Sequence, residues 1–68
     1  MVLVESEAIA EIDYQPASST LFVRFAHGGW YSYFMVPPKV HAAFLAADSH
    51  GRFFQEKIRD RYPCRRGR

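Results

Sequence analysis

The sequence predicts an α+β domain: a three-stranded antiparallel β-meander followed by two α-helices packed on one face. Three observations predict it. Two runs, Thr20 to Phe25 and Trp30 to Met35, flank a turn containing Gly28-Gly29 and carry the β-branched and aromatic residues that suit strands. Pro37-Pro38 cannot continue a central strand but suits the first turn of a helix, where the missing N–H would be unpaired anyway. Beyond Ser49, the residues Phe53, Phe54, Ile58 and Tyr62 recur at helical spacing until Pro63, which stops the stripe.

The elements follow in chain order. Ala8 to Tyr14 is short and mixed, with Ile9, Ile12 and Tyr14 as its larger apolar residues, and reads as a first, irregular strand before a turn at Gln15 to Ser19. For the hairpin, loop length decides which side chains share a face, because a one-residue shift flips the whole set. A two-residue loop would need a positive φ at His27. A three-residue loop, Ala26-His27-Gly28, needs it only at Gly28, where it is cheap. The three-residue loop opposes Phe25 to Gly29, Val23 to Tyr31 and Leu21 to Tyr33. One face then holds Leu21, Val23, Phe25, Tyr31, Tyr33 and Met35 and is the expected core. The other holds Phe22, Arg24, Trp30, Ser32 and Phe34. Val40, Ala43, Phe44 and Ala47 make the stripe of a first helix running to about Ala47, and Ser49 is a good N-cap for the second. Phe44, Phe54 and Ile58 complete the expected core.

With 68 residues, 49% hydrophobic and 16% aromatic, the chain is expected to form one small folded domain over residues 1–63. Residues 64–68 lack apolar periodicity and read as a flexible basic tail, separable without loss of stability. No apolar run approaches the roughly 18 residues of a membrane span. Met1 to Ala10 carries two glutamates and no Lys or Arg, unlike the basic start of a signal peptide, so a cytoplasmic location is expected. The single cysteine, Cys64, can form neither an internal disulfide nor a cysteine-built zinc site.

The net charge of +2 hides a gradient. Residues 1–23 carry Glu5, Glu7, Glu11 and Asp13 and no cation, for −4. Spaced by two or four along a strand, these acids read as a solvated edge face. Residues 49–68 carry Arg52, Lys57, Arg59, Arg61, Arg65, Arg66 and Arg68 against Glu56 and Asp60, for +5. Such asymmetry points to a polyanion partner or to head-to-tail self-association. If the second helix runs to Tyr62, Arg52 and Arg59 share one face and Lys57 and Arg61 another.

The stretch from Leu21 to Tyr62 resembles the KTSC domain, a short bacterial module also found at the C-terminus of some lysyl-tRNA synthetases. The resemblance is carried by Leu21-Phe22-Val23-Arg24-Phe25, the Gly28 turn, Tyr31-Ser32-Tyr33 as the family's YxY motif, Val36-Pro37, and Ala47-Asp48-Ser49-His50-Gly51-Arg52-Phe53-Phe54 followed by Ile58. The sequence departs from the family pattern at Asp13, where glycine is frequent, at His41, where an aromatic is common, and at Gln55, where asparagine is common. The resemblance implies a three-stranded sheet with helices and, through the tRNA enzyme, RNA as a partner.

No catalytic constellation is visible. His27, His41 and His50 share no helix face at ligand spacing. Cys64 has no histidine or carboxylate placed by sequence to work with it. Neither a catalytic residue, a metal ligand, a cofactor nor a small-molecule substrate is therefore expected. The leading reading is a non-catalytic RNA-binding module using Arg24, Trp30, Tyr31, Tyr33, Arg52, Lys57, Arg59 and Arg61, the aromatics stacking on bases and the cations meeting phosphates. Tyr31 and Tyr33 have a second reading as core tyrosines, and the expected loop favours it. The alternative function is a protein-interaction or homodimerisation module that uses an exposed aromatic sheet face.

Overall fold

The structure is a computed structural model that describes residues 2–3 and 7–68. Among the described residues, five strands form one antiparallel sheet: β1 (Val2–Leu3), β2 (Ile9–Gln15), β3 (Thr20–Phe25), β4 (Gly29–Tyr33) and β5 (Cys64–Arg66), paired in that order. Between β4 and β5 lie the helices α1 (Pro38–Ala46) and α2 (His50–Phe53), the latter continued by a π-helical turn over Phe54–Ile58. The α+β class and the two helices agree with the sequence reading. The meander gains a strand at each edge. Cys64–Arg66, expected to begin a flexible tail, instead pairs with β4, setting Tyr31 opposite Arg66, Ser32 opposite Arg65 and Tyr33 opposite Cys64.

The β3–β4 register is the one that the three-residue loop requires, with Leu21 opposite Tyr33, Val23 opposite Tyr31 and Phe25 opposite Gly29. The left-handed residue is Gly29 (φ +74°) and not Gly28. β2 carries a β-bulge between Ile9 and Glu11. Without it, residues 9 and 12 would point to opposite faces. The extra residue, Ala10, brings both isoleucines inward, where both are fully buried. β2 is not an edge strand, because β1 pairs with it at Glu11 and Ile12. Of the acidic row, Glu11 is engaged by Arg24 (2.6 Å) and Asp13 by Arg68, and Glu5 lies outside the described residues.

The core sits between the inner sheet face and the helices. Ile9, Ile12, Leu21, Val23, Tyr33, Val36, Phe44, Phe54 and Ile58 are buried, with Phe25 and Tyr31 packed against them. Met35, expected inside, is 68% exposed. β4 ends at Tyr33 and the backbone turns left-handed at Met35 (φ +60°), so Val36 takes the core position. The Val36 amide donates to the Ser19 carbonyl (2.9 Å) and its carbonyl accepts from the Tyr14 hydroxyl (2.6 Å).

Ser49 caps α2 as expected, its hydroxyl accepting from the Arg52 amide (3.2 Å). The helical segment stops at Ile58, short of Tyr62. The Arg59 amide donates to the Phe54 carbonyl (2.8 Å), closing a wide π turn, and Asp60 adopts φ +64°. Arg59 and Arg61 therefore stand beyond the helix and not on its faces. The turn delivers the chain to the β4 edge, where the Phe34 amide donates to the Pro63 carbonyl (2.9 Å).

Candidate functional site

Two grooves flank α2. The first, about 400 Å³, has an apolar floor of Val40, Ala43, Phe53 and Tyr62 and a rim of Lys39, Lys57 and Arg61. The second, about 410 Å³, lies between the helix and the sheet, lined by Phe25, Gly28, Tyr31, Tyr33, Phe54, Gln55 and Arg59. Among the described residues, no carboxylate lines either groove. Five of the eight sequence-derived site residues thus border α2: Lys57 and Arg61 on one side, Tyr31, Tyr33 and Arg59 on the other.

Each groove follows from local structure. In the first, α1 starts at Pro38 and places Lys39 and Val40 in its opening turn beside Phe53 and Lys57 of the second helical segment. Arg61, past the helix, is fixed by its Nε–H, which donates to the Glu56 carbonyl (3.0 Å). In the second, edge-to-face rings build the floor: Phe25 and Tyr31 (5.4 Å), Phe25 and Phe54 (5.1 Å), Tyr33 and Phe54 (5.5 Å). Arg59 donates to the Gln55 amide oxygen (2.9 Å), which holds its guanidinium at the rim. Arg66, opposite Tyr31 on β5, shares Tyr31's side of the sheet.

The two tyrosines differ. Tyr33 is 6% exposed, so its ring is floor and offers no free face for stacking. Burial, with the Cys64 thiol group across the strand pair adding, pushes its hydroxyl up to about 12. It stays a neutral donor at any physiological pH. Tyr31 is half-buried and presents part of its ring to the groove.

Three predicted residues lie elsewhere. Arg52 lines a smaller depression with Asp48 and Glu56, where carboxylates oppose an anionic ligand. Arg24 and Trp30 are on the outer sheet face. Arg24 is ion-paired with Glu11, and the Arg68 guanidinium lies over the Trp30 ring (4.6 Å). That face, expected as an exposed aromatic platform, is covered: Arg68 also lies over Phe22 (4.3 Å) and Arg65 over Phe34 (5.7 Å). Sequence reasoning missed Lys39, Gln55, Phe53, Tyr62 and Arg66 as site residues. Lys39 had a usable signal, since it follows the Pro37-Pro38 helix start. Arg66 belonged to the basic C-terminal set, but only β5 sets it opposite Tyr31.

Among the described residues, no three His, Cys, Asp or Glu side chains are gathered to hold a metal ion, and no helix is long and apolar enough to cross a membrane.

The KTSC domain pattern matches residues 5–62. The fold is similar to the crystal structure of a KTSC domain protein from Yersinia pestis, with a TM-score of 0.96 and 36% identity, covering 98% of this chain and 94% of that one. A protein of Tsukamurella paurometabola is 44% identical over 59 residues, which is 87% of this chain and 88% of that protein. An uncharacterized protein of Stutzerimonas stutzeri is 36% identical over 61 residues, 90% of this chain and 86% of its own.

Proposed function

The chain belongs to the KTSC domain family, and we propose that it is a non-catalytic module that binds single-stranded RNA across its second helix. One observation carries this reading: two grooves beside α2 and its π-helical continuation each combine aromatic rings with cations and, among the described residues, no carboxylate. Cations there release condensed counterions on meeting phosphates, and the exposed part of an aromatic floor stacks on unpaired bases. Lys39, Lys57 and Arg61 meet the backbone on one side of the helix and Arg59 and Arg66 on the other, with Tyr31 as the base contact. RNA is favoured over DNA by the occurrence of the domain on lysyl-tRNA synthetases.

The alternative, an interaction or homodimer module using the aromatic sheet face, has less support, because Phe22, Trp30 and Phe34 are already covered by the chain's own arginines. The test is a titration of a labelled single-stranded RNA at several salt concentrations. Lys57→Ala with Arg61→Ala removes two phosphate contacts and flattens the slope of log K against log salt by about 1.4. Tyr31→Ala lowers affinity at every salt concentration and leaves the slope unchanged. No binding at about 50 mM salt, where phosphate contacts are strong, rejects the reading.

A further inference from the structure

The outer face of the sheet, remote from α2, is built around one guanidinium. Asp13 on β2 and Phe22 on β3 stand opposite each other, and Trp30 lies on β4 opposite the next outward residue, Arg24. The Arg68 guanidinium settles over both rings, 4.3 Å from the Phe22 centroid and 4.6 Å from that of Trp30, and is ion-paired with the Asp13 carboxylate. The residue before it is held by its backbone. The Gly67 amide donates to the Trp30 carbonyl (2.7 Å), and the Gly67 carbonyl accepts from the fully buried Ser32 hydroxyl (2.7 Å). Gly67 has φ +97°, and a Cβ there would meet nothing within 4 Å. The demand for glycine is therefore conformational and not steric.

We propose that this face is a recognition site for a Gly-Arg peptide segment, filled in this chain by its own Gly67-Arg68, and that it takes the arginine of a partner's extended Arg-Gly-Arg segment when Arg68 is withdrawn. Each feature matches that ligand and no simpler cation. Two rings accept a planar guanidinium by stacking, and a carboxylate accepts its N–H groups, a combination that a compact ammonium satisfies less well. The Trp30 carbonyl and Ser32 hydroxyl read the backbone on the arginine's N-terminal side, as in strand addition to a sheet edge. The bound guanidinium side chain keeps 34% of its accessible surface, so the slot opens to solvent and its occupant can exchange. Arg68 occupies it as a tethered competitor at an effective concentration of about millimolar.

The chain's single tryptophan sits in the slot, so its fluorescence reports occupancy directly. Full-length Gly67→Pro with Arg68→Ala keeps β5 and vacates both the Gly67 backbone contacts and the side-chain slot, because proline has no N–H and cannot adopt φ +97°. Titrated with an Arg-Gly-Arg amide, it should give a saturable change in Trp30 emission. Wild type should respond at least about tenfold more weakly because Gly67-Arg68 competes, and the double variant combined with Asp13→Asn should lose the response. A chain ending at Pro63 gives an independent reading even if it is unfolded, since a Ser-Arg-Arg-Gly-Arg peptide added in trans should restore its folded circular dichroism. The proposal is overturned if Gly67→Pro with Arg68→Ala shows no saturable change, if Lys-Gly-Lys binds as well, or if wild type sediments as a dimer that the double variant dissolves, which would make a second copy the occupant.

Discussion

Arg66 stands directly opposite Tyr31 across the β4–β5 pair, so the last residues of the chain are part of the sheet. Deleting Cys64 to Arg68 removes this strand, the Gly67 bonds to Trp30 and Ser32, and the Arg68–Asp13 ion pair. The melting temperature should fall by about 5 °C or more, corresponding to roughly 1 kcal/mol in a domain this small. An unchanged melting temperature would mean that the segment does not pack in solution.

Val23 is fully buried at the centre of the inner sheet face. Val23→Ala should cost about 1–3 kcal/mol through lost burial and a residual cavity. Denaturant unfolding measures it as a lower midpoint with the slope preserved.

The contrast between these two sites shows what was legible in the sequence. The hairpin register, the core face and the Ser49 cap follow from local rules: alternation along a strand, the conformational freedom of glycine, and a hydroxyl before an apolar stripe. What was missed depends on long-range pairing or on special backbone. Met35 keeps the aromatic run going in sequence, yet its left-handed φ ends the strand. Ile9 and Ile12 share a face only through a bulge that Ala10 does not announce. Cys64-Arg65-Arg66 has no β propensity of its own and becomes a strand because the β4 edge offers unpaired backbone groups. The aromatics Phe22 and Trp30 were assigned correctly to the outer face, but their cover by Arg68 comes from 38 or more residues away. Tyr31, Arg59, Lys57 and Arg61 were named as candidate site residues from type alone, and all four line the grooves. Their division between two grooves required the π turn that carries Arg59 and Arg61 off the helix.

Stability should depend on pH at both ends. Burial holds the His41 imidazole, stacked on Tyr14 at 4.5 Å, below its ordinary 6.5, with Asp13 opposing in part. The unfolded chain therefore takes up a proton first, and this contribution is lost as pH falls below about 6.5. Tyr33, raised to about 12 from 10.0, behaves in the opposite sense: its contribution is present below about pH 10 and lost as pH rises toward 12. Unfolding midpoints across pH 5 to 11 (roughly the range these groups span) should fall at both ends. His41→Phe should flatten the acid side alone.

Met35 combines φ +60° with a side chain that is 68% exposed. Met35→Gly relieves a left-handed strain of about 1–2 kcal/mol and gives back about 0.4–1 kcal/mol through a more flexible unfolded chain. The net should be an unchanged or slightly higher melting temperature. A clear loss would indicate that the exposed thioether contributes packing.

The most direct test of RNA binding across α2 is a map of backbone amide chemical shifts on adding a short single-stranded RNA at about 50 mM salt, where phosphate contacts are strong. The predicted result is that Tyr31, Gln55, Lys57, Arg59, Arg61 and Arg66 move together on both sides of the helix while Phe22 and Trp30 stay in place. Shifts confined to Phe22, Trp30 and their neighbours on the outer face, or none at all, would contradict it.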